Sequence, residues 1–158
     1  MPRIVREADV VWEGTVARGS GVVTAVSSKA FELPTTIASR VGDPEGKTSP
    51  EELLAAAHAT CFVTSLGSEL ARAGTPPERL DVRCTITMDE VAGLGHRIVS
   101  SAISARGIVA DADAAAFAQA AEAADAGCSF SALIKASATV TIEAALETPG
   151  NTHDLTPG

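Results

Sequence analysis

Thr48-Ser49-Pro50-Glu51-Glu52-Leu53-Leu54-Ala55-Ala56-Ala57-His58-Ala59-Thr60-Cys61-Phe62 is the stretch on which the reading of this chain turns. It opens with a well-marked helix start. Ser49 is a good N-cap, Pro50 suits the first helical position, and Glu52 completes an S-x-x-E capping box. Glu51 and Glu52 lie where the helix dipole favours negative charge. Arg72 suits a last turn, Gly74 a terminal position, and Pro76-Pro77 bars continuation. The spacing predicts a helix from Ser49 to about Ala73. From Leu53 through Gly67 it carries no charge. That run is short of the roughly 20 residues a membrane span needs, so it reads as a buried helix. A helix apolar on every side needs cover all round. One small sheet covers one side only, and a second subunit is the simplest remedy.

Working outward, residues 4–13 and 20–27 read as strands, with Val16 to Gly21 as the turn between them. Ser28 to Leu33 is a candidate third strand, and Pro34 to Lys47 a loop rich in Gly, Pro, Asp and Ser. After the helix, Asp81 to Asp89 alternates Val82, Cys84, Ile86 and Met88 against Arg83, Thr85 and Thr87, the period of a half-buried strand. Gly93-Leu94-Gly95 turns the chain into a strand from Arg97 to Val109. Asp111 or Asp113 caps an alanine-rich helix with Phe117 as its large anchor, and Gly127 ends it. Ser129 to Leu133 suits a short helical turn. Ala136 to Leu146 alternates again, and residues 148–158 form a polar tail expected to be disordered. Short turns between neighbouring strands imply largely antiparallel sheet, so the class is α+β.

The chain has 158 residues, enough for one domain with its own core. It is 46% apolar but only 3% aromatic, so the core must be built from Ala, Val, Ile and Leu. Net charge is −8, with no cluster of Lys and Arg. This argues against nucleic acid or an anionic membrane as partner. Met1-Pro2-Arg3-Ile4-Val5-Arg6-Glu7 has no apolar signal core, so a cytoplasmic location is expected. Three cysteines, Cys61, Cys84 and Cys128, are too few and too scattered for a disulfide scaffold, and there is no C-x-x-C.

A thiol in a dry core is inert packing unless something ionises it. Cys84, on the apolar side of its strand, fits that description. Cys61, mid-helix, and Cys128, just after Gly127, each sit at a helix feature with a carboxylate and an arginine available. That pattern suggests a dithiol cycling between reduced and disulfide forms.

Thr48 to Phe62, read as T-[SN]-P-E-E-L-x-x-A-A-H-A-x-C-F, together with Gly127-Cys128, resembles the osmotically inducible protein C and organic hydroperoxide resistance family. Phe31-x-Leu33 followed by Arg40 and a Gly-rich loop resembles its OsmC-like branch. The likeness spans roughly residues 8–147, taken as a single domain (residues 1–147) before the tail. It implies an α+β OsmC-like fold: two antiparallel-rich sheets and long central helices in an intertwined homodimer, with sites at the subunit interface. It implies a thiol-dependent peroxidase acting on organic hydroperoxides, re-reduced by a dithiol, of lipoyl type. Cys61 matches the peroxidatic cysteine, Cys128 the resolving cysteine, Glu51 the site glutamate and Arg40 the site arginine, with Arg18 as the alternative. The sequence departs from the family in two places. Ser129 stands where proline often follows the second cysteine, and the Arg40 to Glu51 loop is about one residue longer.

The chemistry implied needs no metal, flavin or haem. A Cys61 thiolate beside an arginine attacks the peroxide, giving a sulfenic acid that Cys128 converts to a disulfide. An external dithiol then restores the pair. Ten residues of helix put Glu51 about 15 Å from Cys61 along the axis. Glu51 is therefore expected to reach a partner subunit's thiol, orienting the arginine by a bidentate ion pair. Phe62, Leu66, Phe130 and Leu133 are core candidates, some of which suit an entrance for a bulky alkyl group. Two other readings stand beside this one. The first is a non-catalytic module holding an apolar ligand at the dimer interface. The second is a metal site built from His58, Cys61 and Cys128, against which a satisfied core histidine is the plainer account of His58.

Overall fold

The computed structural model describes residues 2–150 of the chain. The expected tail lies almost wholly outside the described residues. The chain divides into two compact units, Met1–Leu53 and Leu54–Gly158.

In the first unit, β1 (Ala8–Glu13), β2 (Ser20–Ala25) and β3 (Glu32–Thr35) form an antiparallel sheet in that order. Two details correct the sequence reading. Gly21 belongs to β2 rather than to the turn. It lies opposite Trp12, and a Cβ there would sit 2.7 Å from the indole Cε3. Glycine is needed for that close approach. The third strand starts later than Ser28, because Lys29 adopts φ +57° in a turn and donates its N–H to Ala25 O. Pro34 pairs within β3, an edge strand, where a missing N–H is tolerated.

The loop expected from Pro34 to Lys47 contains a short helix, α1 (Ile37–Val41). Thr36 and Ser39 cap it reciprocally, side chain to backbone in both directions. The predicted long helix follows as α2 (Pro50–Arg72). Its capping box is half made. Ser49 Oγ accepts the Glu52 N–H at 3.2 Å, but the Glu52 carboxylate turns to the Thr48 hydroxyl at 2.8 Å. At the far end Gly74 takes φ +79°. Its N–H reaches Ala71 O, and the next N–H, of Thr75, reaches Leu70 O. This is the glycine-terminated close that the sequence suggested.

The second unit holds most of α2, with β4 (Arg79–Val91), β5 (Gly95–Ile108), α3 (Ala114–Gly127), α4 (Ser129–Lys135) and β6 (Thr139–Leu146). β4 and β5 are antiparallel, whereas β5 and β6 are parallel, because a crossover through α3 and α4 separates them. The antiparallel expectation fails at that pairing alone. Ile98 and Ile103 are an odd number apart and cannot share one face of a regular strand. A bulge between Thr87 and Met88 shifts the register there and resets the phase. Beyond it Ser101, Ile103 and Ala105 all point inward.

On α2, His58, Phe62, Leu66 and Leu70 form one buried stripe at four-residue intervals. Phe62, Leu66 and Leu70 join Ile103, Ala105, Phe117 and Ala121 in the core. Burying Phe62, Leu66, Leu70, Ile103 and Phe117 contributes about 1.5–3 kcal/mol each. By length and composition α2 could also cross a membrane, a test that core helices of soluble proteins pass too. Its other faces are only half-buried or exposed in the single chain.

Candidate active site

Gly127 is the last residue of α3, where the sequence reading ended that helix. The break comes at Cys128, whose extended backbone (φ −79°, ψ 117°) ends α3 and begins α4. Its N–H donates to Asp125 O at 3.3 Å, and its sulfur accepts the Ser131 N–H at 3.5 Å as the cap of α4. Held this way, Cys128 Sγ lies 3.1 Å from Cys61 Sγ on α2. Both are free thiols, as is Cys84.

The environments of the two sulfurs differ. At Cys61 burial pushes the thiol up. The Phe130 N–H, the Cys128 thiol, and the hydroxyl and N–H of Ser129 together outweigh it and hold Cys61 below the ordinary value. The Ser129 hydroxyl is 3.7 Å from the Cys61 sulfur. A proline at that position would offer neither hydroxyl nor N–H. At Cys128 burial dominates and holds the thiol up. Cys128 is 1% exposed while Cys61 is partly open. The arrangement therefore sets a partly open thiol whose ionisation is favoured against a buried one whose ionisation is opposed.

His58 is fully buried, with Nδ1 2.7 Å from Ser101 Oγ and Nε2 2.9 Å from Ser131 Oγ. Burial lowers its pKa, favouring the neutral ring. Both ring nitrogens are thus occupied by hydroxyls, which fits a satisfied core histidine. Among the described residues, no three His, Cys, Asp or Glu side chains converge as a metal site would require. Cys84 sits 3.2 Å from Ser101 Oγ, and burial raises its pKa.

In the first unit Arg40, in the last turn of α1, meets Glu51, in the first turn of α2. Arg40 Nε lies 3.1 Å from both carboxylate oxygens, and Nη2 lies 2.6 Å from Oε1. The Arg40 hydrogen bond holds the Glu51 carboxyl below its usual range, against burial. Arg18 is exposed in the β1–β2 turn. Beside Arg40 a cavity of about 320 Å³ is lined mainly by Val10, Trp12, Val23, Ile37, Pro50 and Leu53. Trp12 Nε1 is buried there without a hydrogen-bond partner.

A family model described as OsmC-like protein matches residues 42–143. The chain belongs to the OsmC-like protein family. A curated relative, "Peroxiredoxin OsmC" of Escherichia coli (strain K12), is 34% identical over 137 residues, covering 87% of this chain and 94% of that protein. The OsmC-like fold is also that of the organic hydroperoxide resistance protein OhrB of Bacillus subtilis. That structure matches with a TM-score of 0.69 at 19% identity, over 88% of this chain and 98% of the other. An organic hydroperoxide resistance protein OsmC from Legionella pneumophila gives a TM-score of 0.72 at 17% identity, over 90% and 99%.

The sequence reading named Cys61, Cys128, Arg40 and Glu51 and passed over Ser101 and Ser131. Both left a signal. Ser101 is a polar residue on the inward parity of a strand, and Ser131 follows Cys128 at cap spacing.

Proposed function

We infer that this OsmC-like chain is a thiol-dependent peroxidase that reduces organic hydroperoxides to alcohols. The observation that carries the reading is the 3.1 Å approach of Cys61 to Cys128, with the Cys61 thiol favoured as thiolate. The naming of the Escherichia coli relative as a peroxiredoxin supports it, and so do the hydroperoxide resistance proteins that share the fold.

The Cys61 thiolate attacks the distal peroxide oxygen. The O–O bond breaks, an alkoxide leaves and takes a proton as alcohol, and Cys61 becomes a sulfenic acid. Cys128 attacks that sulfur, forming the disulfide and releasing water. A dithiol reductant, of lipoyl type, returns both thiols by exchange. The catalytic set is Cys61, Cys128, Arg40 and Glu51. Arg40, fixed by Glu51, supplies a permanent positive charge and several donors for thiolate and peroxide. Helical rise separates Glu51 from Cys61 of its own chain by about 15 Å. The guanidinium therefore comes from the second subunit of a cytoplasmic homodimer, whose formation covers the remaining apolar faces of α2.

The test is turnover with an organic hydroperoxide and a dithiol. Cys61→Ser is expected to be inactive; full activity in that variant ends the reading. Cys128→Ser is expected to stop after one oxidation, leaving Cys61 open to over-oxidation.

The apolar cavity beside Arg40 favours a second reading, a module that holds an apolar ligand while its thiols stay idle. It predicts a co-purifying ligand and slow alkylation of Cys61.

A further inference from the structure

His58 is a buried group to which the chemistry above gives no task. It lies one turn before Cys61 on α2, and Ser131 lies in the first turn of α4, just after Cys128. The two segments meet at two points. One is the 3.1 Å contact of Cys61 Sγ with Cys128 Sγ. The other is the 2.9 Å hydrogen bond between His58 Nε2 and Ser131 Oγ. The Ser131 N–H closes the frame by donating to the Cys128 sulfur at 3.5 Å. Behind the ring, Ser101 Oγ on β5 lies 2.7 Å from His58 Nδ1. His58, Ser101 and Ser131 are wholly buried.

The segment carrying Cys128 has few holds of its own. Cys128 is an extended break between two helices, and α4 has only 7 residues. The buried residues of α4 are Ser131 and Ile134; Phe130 is half-buried and Leu133 exposed. Lys135 pairs with Asp125, which ties α4 to α3 rather than to α2. The Ser131–His58 bond runs instead to the helix that carries the other sulfur. A histidine and two serines among aliphatic side chains add little net stability, because desolvation offsets most of what their hydrogen bonds contribute. A fully satisfied buried network instead fixes one arrangement. Here that arrangement is the approach of Cys128 to Cys61.

We propose that His58 and Ser131 are positioning residues for the resolving step, clamping the Cys128 segment to α2 so that its sulfur stays against Cys61. In that step the Cys128 sulfur forms the S–S bond as the Cys61 S–O bond breaks. The oxygen leaves with the bonding pair as hydroxide and becomes water with the proton that Cys128 gives up. The step gains from having its two sulfurs already in contact. The clamp moves no proton and touches no substrate; it raises the effective concentration of one thiol at the other. Ser101 acts one contact further back, by orienting the ring. The proposal rests on the reading of Cys61 and Cys128 as a redox pair, and one arm of its test uses no hydroperoxide.

That arm is the equilibrium of the Cys61–Cys128 disulfide with reduced and oxidised dithiothreitol, trapped by alkylation and read by peptide mapping. The variants are Ser131→Ala, which keeps the capping N–H, His58→Leu, and the two combined. With the clamp, Ser131→Ala weakens the disulfide about tenfold, making its potential about 30 mV less negative. The second arm is a burst of organic hydroperoxide. Sulfenic acid formation at Cys61 stays within about threefold, while the fraction over-oxidised at a given hydroperoxide concentration rises about tenfold. His58→Leu gives the same two changes, and the double variant is no worse than the single ones, because both remove one bond. Ser101→Ala moves both readouts the same way by a smaller factor, and it decides the matter if another variant fails to fold. An unchanged potential in the variants overturns the clamp. So do losses that add in the double variant, or a fall in sulfenic acid formation equal to the fall in resolution, which marks general structural damage. A wild-type disulfide that forms in the redox buffer but not with hydroperoxide removes the peroxidase reading and leaves the clamp standing. A wild type that forms none in the buffer overturns the clamp.

Discussion

Cys61 and Cys84 lie in the same unit, both are partly buried, and desolvation pushes both thiols up. They end on opposite sides of the ordinary thiol value. At Cys61 the Phe130 and Ser129 N–H groups, the Ser129 hydroxyl and the Cys128 thiol reverse the effect of burial. At Cys84 only the Ser101 hydroxyl opposes it, and burial wins. Cys61 is both less deeply buried than Cys84 and supplied with more donors aimed at its sulfur, and the two differences together separate the thiols.

Removing each sulfur in turn is the harshest way to break that contrast. On the peroxidase reading, Cys61→Ser lowers steady-state turnover by about 10³-fold or more, while Cys84→Ala leaves it within about twofold. Comparable losses in both would erase the distinction. Arg40→Met is expected next, with about 10²-fold lower kcat/KM and little change in fold. Unchanged kinetics there would move attention to Arg18.

The contrast sharpens under titration. Alkylation follows the thiolate, so labelling of either cysteine rises with pH. Cys61 should reach half-maximal labelling below the ordinary thiol value, and Cys84 above it. Peptide mapping of iodoacetamide adducts across pH reads both in one sample, and coincident midpoints would contradict the account. Ser129→Pro removes two of the Cys61 donors at once, and its Cys61 midpoint should move upward toward that of Cys84.

The smallest expected effect concerns the first unit. The Glu51 carboxyl is held down by Arg40. Its contribution to stability is therefore complete above the unfolded value of about 4.3 and lost as pH falls through the folded one. The pair is partly exposed, so about 1 kcal/mol is an upper figure. Glu51→Gln should flatten the acid limb of a denaturation series by that amount, and an unchanged limb would show that the pair does not stabilise the fold.

Much of the fold was legible because it rests on local signals. Ser49, Pro50 and Gly74 mark the ends of α2, and strict alternation marks β4 and β6. The missed features depend on tertiary context. The parallel pairing of β6 reflects where the α3–α4 crossover delivers the chain, which no local pattern records. The short helix α1 rests on a Thr36–Ser39 cap inside a stretch whose Gly and Pro content reads as loop. Gly21 looked like a turn residue because its reason for being glycine, the Trp12 ring, lies on the neighbouring strand. At the site, Cys61 and Cys128 were readable from motif and helix position. Ser101 and Ser131 left only a faint signal, in strand parity and cap spacing, because their meaning lies in what they face across the core.

One measurement bears most directly on the claim that Cys61 and Cys128 form a redox pair: intact mass after one equivalent of organic hydroperoxide, with and without a dithiol. The account predicts a loss of about two mass units per chain, for the two thiol hydrogens, reversed by the dithiol. An unchanged mass, or a lasting gain of about sixteen units from one added oxygen, would contradict it.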